Sequence, residues 1–455
     1  MTSPAPTVTL VSECFIKPLG DDLSPESKQP LHFTPFELSF LNFNYSQKGL
    51  LFAKPENQNN NFSISVFLGD LKTSLSTTLT HFYPLAARLA SRIQQDKDPL
   101  NSYVIYIDPN NSPGVKFIHA KTDATISDVL NPIEVPTIVR SFFDLNNAIS
   151  HDGHTLPLLS VQVTELADGI FIGGSVNHVI ADATSFWHFM NSWNEIFKSG
   201  AISRYPVFEK RSSDPICILP YAYRDQFIER YEPPQLLLKE RFFHFTCASV
   251  ARLKKRANAE CNGTQKISSL QAVSALLWRC ITRVRRLPED SETECVLAVC
   301  NRRRINPPLS DGYFGSPVVT IKGTTKVKEL LMAANGLGYA ALKLNEAITN
   351  QDDAAVQKWV ESWFGNPVVY KLSARLSPLT NVVVISGSPR FDMYGCEFGL
   401  GKAIAARSGF ANKANGRMAM YPGREGGGSI DVEVCLTAET MKDLQHDPEF
   451  ISACF

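Results

Sequence analysis

Between Leu159 and Gly200 the spacing of apolar residues switches from every second position to a helical repeat. The switch falls on Asn177-His178-Val179-Ile180-Ala181-Asp182. Ahead of it, Ile170, Ile172 and Val176 alternate with Phe171, Gly173 and Ser175, the pattern of a strand. With Leu159 to Leu166 and an Ala167-Asp168-Gly169 turn, residues 159–177 read as a hairpin. Behind the switch, Phe186, Phe189, Met190, Trp193, Ile196 and Phe197 predict a helix over 184–198 that Gly200 stops. A chain patterned this way must lay a helix on a sheet. His178 then sits at the junction, fixed by the sheet and free to face a cleft.

The rest of the chain repeats the mixture without strict strand–helix alternation. Leu75, Leu79, Phe82, Leu85 and Leu89 predict a helix over 73–92 that Pro84 kinks or ends. From Ala201 to Asp225 the pattern lapses into a connector with Pro206, Pro215, Pro220 and the polar run Glu209-Lys210-Arg211-Ser212-Ser213. Beyond it, Ser268-Ser269-Leu270-Gln271 is a capping-box start for a helix bearing Val273, Leu276, Leu277, Cys280 and Val284. Cys295 to Val299, Asn381 to Ser386, Ala403 to Arg407 and Ser429 to Leu436 read as strands. A length of 455 residues exceeds one ordinary core. The expectation is two α/β domains with mixed sheets: 1–200, a 201–225 crossover, and 226–455.

Composition narrows the function classes. Lys plus Arg and Asp plus Glu are 45 each, so no long-range field draws nucleic acid or acidic lipid. No apolar run is long enough for a membrane span, and MTSPAPTVTL lacks the features of a secretory signal. Ten scattered cysteines without a CxxC pair read as free thiols in a cytosolic protein. The Asn-Xaa-Ser/Thr matches at Asn44, Asn61, Asn110 and Asn262 are then unmodified coincidences.

On its own, His178 fits either a hydrogen-bonded core residue or a general base near neutral pH. Asp182 can orient that imidazole or cap the 184–198 helix, where the helix dipole favours negative charge. His151 and His154 with His178 match no zinc spacing, so no metal is expected. There is no Gly-Xaa-Ser-Xaa-Gly elbow. Gly423 to Gly428 lacks the Lys-Ser/Thr ending of a phosphate loop. Arg279, Arg283 and Arg286 form a row on one helix face, solvated or facing a phosphate.

Taken in order, His81-Phe-Tyr-Pro-Leu-Ala-Ala-Arg-Leu89, His178-Val-Ile-Ala-Asp182, Arg302-Arg-Arg304-Ile-Asn-Pro-Pro308, Gly312-Tyr-Phe-Gly315 and Glu397-Phe-Gly-Leu-Gly401 resemble segments of the plant BAHD acyltransferases. The resemblance runs from about Thr34-Pro35 to Asp431. It implies two chloramphenicol-acetyltransferase-like domains with a channel between them, and acyl-CoA as co-substrate rather than a bound cofactor. His178 would be the base for acyl transfer to a hydroxyl or amine of a plant specialised metabolite. Asp182 would hold its loop through an arginine, and Glu397 would bridge to Arg302 or Arg304. Ser268, Ser269 and Lys402 are the coenzyme A contacts it suggests; Thr34, Ser386 and Leu400 are those of the acceptor pocket. A monomer is implied. The chain departs from the family pattern at Ala183, where Gly is usual, and at Glu397 and Leu400, where Asp and Trp are usual. Gly312-Tyr-Phe-Gly-Ser-Pro317 also lacks the Cys of the malonyl-transferring branch. A lyase using the same base without coenzyme A, or a non-catalytic binding protein, is the alternative.

Overall fold

The computed structural model describes residues 6–20, 24–55, 62–94, 102–208, 215–231, 237–261, 266–332, 335–373 and 380–454. The 209–213 polar run and the Asn61 and Asn262 matches lie outside them. Two six-stranded mixed sheets organise the molecule. In the first the spatial order is Thr9–Ile16, Val115–Lys121, Leu159–Glu165, Gly169–Val176, Ser46–Ala53, Ala405–Ser408. Only Val115–Lys121 and Leu159–Glu165 run parallel. The second runs Val318–Lys326, Glu292–Cys300, Val382–Gly387, Arg417–Pro422, Ile430–Thr437, Leu238–Phe245. Here the strand Val382–Gly387 is parallel to both its neighbours. Mixed pairing of this kind explains the absence of strand–helix alternation along the sequence.

The hairpin forms as expected, with Leu159 opposite Val176 and Glu165 opposite Ile170. Every residue of both strands is nonetheless buried, because helices cover one face and residues 137–143 the other. Phe171 lies over Gly49, where a Cβ would come within 2.5 Å of its ring. The helix Ala183–Ser199 starts on Asp182, whose carboxylate accepts from Ser185 N at 2.9 Å. It stops at Gly200, which takes the left-handed φ of 74°. Phe186, Phe189, Met190, Trp193 and Ile196 are its buried face, worth about 1.5–3 kcal/mol each.

The expected 73–92 helix is corrected. The helix is Ile64–His81, a tight turn spans Tyr83–Ala86, and Arg88–Gln94 is a strand paired with Ser102–Asp108. Pro84, with no N–H and a ring that clashes with the preceding turn, separates them. Leu85 and Leu89 are buried all the same, so helical spacing there was the accident of a turn feeding a strand.

The 226–455 segment is not confined to the second sheet. Its strand Ala405–Ser408 pairs with Ser46–Ala53, placing Arg407 opposite Gly49. Trp363, Met393, Phe398 and Ala406 also pack into the first core. The row Arg279, Arg283 and Arg286 is paired with groups of the protein rather than open to a phosphate, and of the three Arg286 stays solvated, its side chain 76% exposed. Arg279 is buried against the Leu330 carbonyl, Arg283 pairs with Asp447 and Glu449 at 2.5 Å each, and Arg286 pairs with Asp443. No helix among the described residues is long and apolar enough to cross a membrane.

Candidate active site

The junction that opens the chain's pattern is clamped from its first residue. Asn177 donates from Nδ2 to the Ser150 carbonyl at 2.7 Å, while its Oδ1 accepts from Val179 N at 3.1 Å. Its own carbonyl accepts from Ile180 N and Ala181 N. Ser150 Oγ accepts from His178 N at 3.2 Å and donates to the Phe43 carbonyl at 3.0 Å. The His178 ring stacks on Phe40 at 4.8 Å between centroids, inclined by 15°, with Phe43 edge-on at 6.0 Å. Backbone and ring plane are both held.

His178 lines a cavity of about 360 Å³ between the two sheets, with Lys48, Trp187 and Ser386 also on its wall. Its Nδ1 is enclosed, with no partner beyond the residue's own carbonyl among the described residues, so Nε2 is the nitrogen left to take a proton from the cavity. Burial pushes the imidazole below its ordinary value. Its own carbonyl and the Asp182 charge oppose that shift, while Arg417 and Lys48 reinforce it. The ring is therefore neutral at pH 7 and able to accept a proton.

Asp182 points away from the cavity. Its carboxylate meets Arg302 in a two-pronged pair, Oδ2 to Nη1 at 2.5 Å and Oδ1 to Nη2 at 3.0 Å. Arg302 also donates to Ser185 Oγ at 2.8 Å and to the Gly315 and Tyr313 carbonyls. Asp182 N donates to Gly315 O at 3.2 Å, so two segments of the second half grip the loop of the first. Gly315 has no room for a side chain, since a Cβ would sit 2.5 Å from Glu37 Oε1.

The expected bridge from Glu397 to Arg302 or Arg304 does not form. Arg302 is engaged by Asp182, and Arg304 donates to the carbonyls of Ile348 and Gln351. Glu397 lies at the surface and pairs with Lys198 at 2.6 Å. What holds its segment is backbone: Asn194 Oδ1 accepts from Glu397 N and Phe398 N at 3.1 and 2.8 Å. Phe398, Gly399 and Gly401 all adopt positive φ, and Phe398 is wedged against Trp193 and Phe197. The glycines serve that turn.

The acceptor-pocket set divides. Ser386 lines the His178 cavity, and its hydroxyl donates to Met418 O. Thr34 lines a separate, largely apolar cavity of about 530 Å³ with Phe36, Ile305 and Val360. Leu400 is on the wall of neither cavity; it packs, partly buried, against the first core from within the 397–401 turn. Among the coenzyme A candidates, Ser268 caps its own helix by accepting from Gln271 N at 3.3 Å. Lys402 donates to Arg424 O at 2.6 Å, and Ser269 opens the helix Ser269–Val284. None of the three is on the wall that His178 shares. The sequence pattern did not point to Phe40, Phe43, Ser150 or Lys48, and it singled out Asn177 without its clamping role.

A transferase family model matches residues 8–451. The BAHD acyltransferase DCR of Arabidopsis thaliana is 33% identical over 470 residues, covering 98% of this chain and 92% of the relative. The chain belongs to the BAHD acyltransferases. Vinorine synthase shares the fold at a TM-score of 0.73, with 20% identity and 98% of each chain covered. A protein of F. graminearum, solved in complex with coenzyme A and deoxynivalenol, does so at 0.70, with 15% identity and 93% and 98% covered.

Proposed function

We propose that this protein moves an acyl group from a coenzyme A thioester to a hydroxyl or amine of a plant specialised metabolite, with His178 as general base. The observation that carries the reading is an imidazole stacked on Phe40, its backbone held by Ser150 and its Nδ1 enclosed, on the wall of a cavity between the two sheets. Nε2 takes the acceptor's proton as its oxygen or nitrogen attacks the thioester carbonyl carbon. The tetrahedral oxyanion collapses, the C–S bond breaks, and the departing thiolate recovers the proton from the imidazolium. No covalent enzyme intermediate is required. Family membership and the coenzyme A complex of a structural neighbour support the thioester as donor. Ser269 and Lys402 are the proposed phosphate contacts, Ser386 the proposed acceptor contact, and Asp182 with Arg302 the pair that positions the loop.

Purified protein given acyl-CoA panels and plant phenolics should release free thiol. His178→Ala should lower turnover by ~10²–10⁴-fold, the usual worth of a general base. Because the imidazole's pKa is depressed, the wild-type rate should hold as pH falls through about 6.5 and drop only below it. A folded His178→Ala protein with full rate overturns the assignment. Calorimetry with coenzyme A separates transfer from elimination: no binding at millimolar ligand means the base serves a lyase.

A further inference from the structure

Lys48 lies on the strand beside the one that delivers His178, opposite Gly174, and both residues line the same cavity. Its ammonium donates to Tyr421 Oη at 2.8 Å and stands 5.0 Å from that ring's centre. Tyr421 in turn donates to Glu433 Oε2 at 2.9 Å, which also accepts from Ser408 Oγ at 2.6 Å. The other oxygen of Glu433 accepts from Lys413 Nζ at 2.5 Å, and Lys413 reaches Glu240 at 3.1 Å. Arg140 closes the chain on Glu240 at 3.2 Å. Both carboxylates are buried, 3% and 8% exposed, and both are engaged by other cations.

The network thus holds three cations, Lys48, Lys413 and Arg140, against two carboxylates. The uncompensated charge falls at its cavity end. Lys48 spends one of three N–H donors on Tyr421 and has no directly paired carboxylate among the described residues; Glu294, on the same wall, is paired with Lys322 at 2.5 Å. Burial is the main reason its pKa falls to about 8, with Lys413 adding and Glu433 opposing, which still leaves the amine mostly protonated at neutral pH. An ammonium buried in a cavity without a direct ion pair is costly, and a ligand carboxylate would reduce that cost. A nucleophilic lysine fits poorly: attack on a thioester would leave an amide, which does not pass its acyl group on.

Resting on the acyl-transfer reading above, we propose that Lys48 anchors a carboxylate of the small molecule presented to His178, so that the site selects an acidic substrate. That carboxylate belongs either to the acceptor, as in a hydroxy acid, or to the acyl group of a dicarboxylyl thioester. The test compares each acid with its neutral isostere. One arm gives an acyl-CoA with mandelate and other aromatic hydroxy acids against their methyl esters; the other gives succinyl-CoA against butyryl-CoA with a neutral alcohol. In one arm the wild type should prefer the acid by ~10–100-fold in kcat/KM, the range of a charge-assisted hydrogen bond. The gain should reside in KM. Lys48→Met should abolish the preference and Lys48→Arg should keep it. Calorimetric binding of the same acids and esters needs no turnover, so it stands if the transfer reading fails. Neutral forms bound as well as acids in both arms, or a preference that survives Lys48→Met, would overturn the proposal.

Discussion

Two motif carboxylates that look equivalent on paper occupy opposite physical situations. Asp182 is 3% exposed and shares Arg302 with Ser185 and two carbonyls of the second half. Glu397 has a side chain 38% exposed and touches Lys198, itself 42% exposed. Removing one partner of a buried pair strands the other charge away from water. Removing one partner of a surface pair leaves the other to solvent. The first carboxylate organises the loop with its side chain. The second merely occupies a turn whose backbone and neighbouring phenyl ring do the organising.

The contrast can be broken in measurable steps. Asp182→Asn should lower unfolding stability by about 3–5 kcal/mol, read as a shift in the urea midpoint, because Arg302 loses its charge partner. An unchanged midpoint would mean that the clasp contributes nothing. Ser185→Ala removes the hydroxyl that accepts from Gly315 N at 3.0 Å and from Arg302, and should cost about 1–3 kcal/mol through unpaired donors. Its effect should be strongly non-additive with Asp182→Asn in a double-mutant cycle. Glu397→Gln should cost under about 1 kcal/mol, and added salt should hide even that. A loss from Glu397→Gln as large as that from Asp182→Asn would erase the distinction.

Local pattern carried the hairpin 159–177, the helix after it and the capped helix at Ser268 because each is decided by residues within a few positions. The same logic failed at 73–92, where Leu85 and Leu89 kept helical spacing while Pro84 had already ended the helix. It also failed for the Arg279 row, since the partners Asp447 and Glu449 arrive from the far end of the chain. For Leu400, a place in a motif carried no information on which side of the turn the side chain would face.

By itself the sequence determined the strand-to-helix switch that carries His178, the stop at Gly200 and the capped start at Ser268. These rest on backbone sterics and short-range hydrogen bonds. Only the tertiary structure decided that Arg302 rather than Arg304 takes Asp182, that Lys198 takes Glu397, and that Lys48 joins His178 on one cavity wall. Such pairings depend on distances between segments more than a hundred residues apart, and on how far each charge is removed from water, which no local pattern encodes.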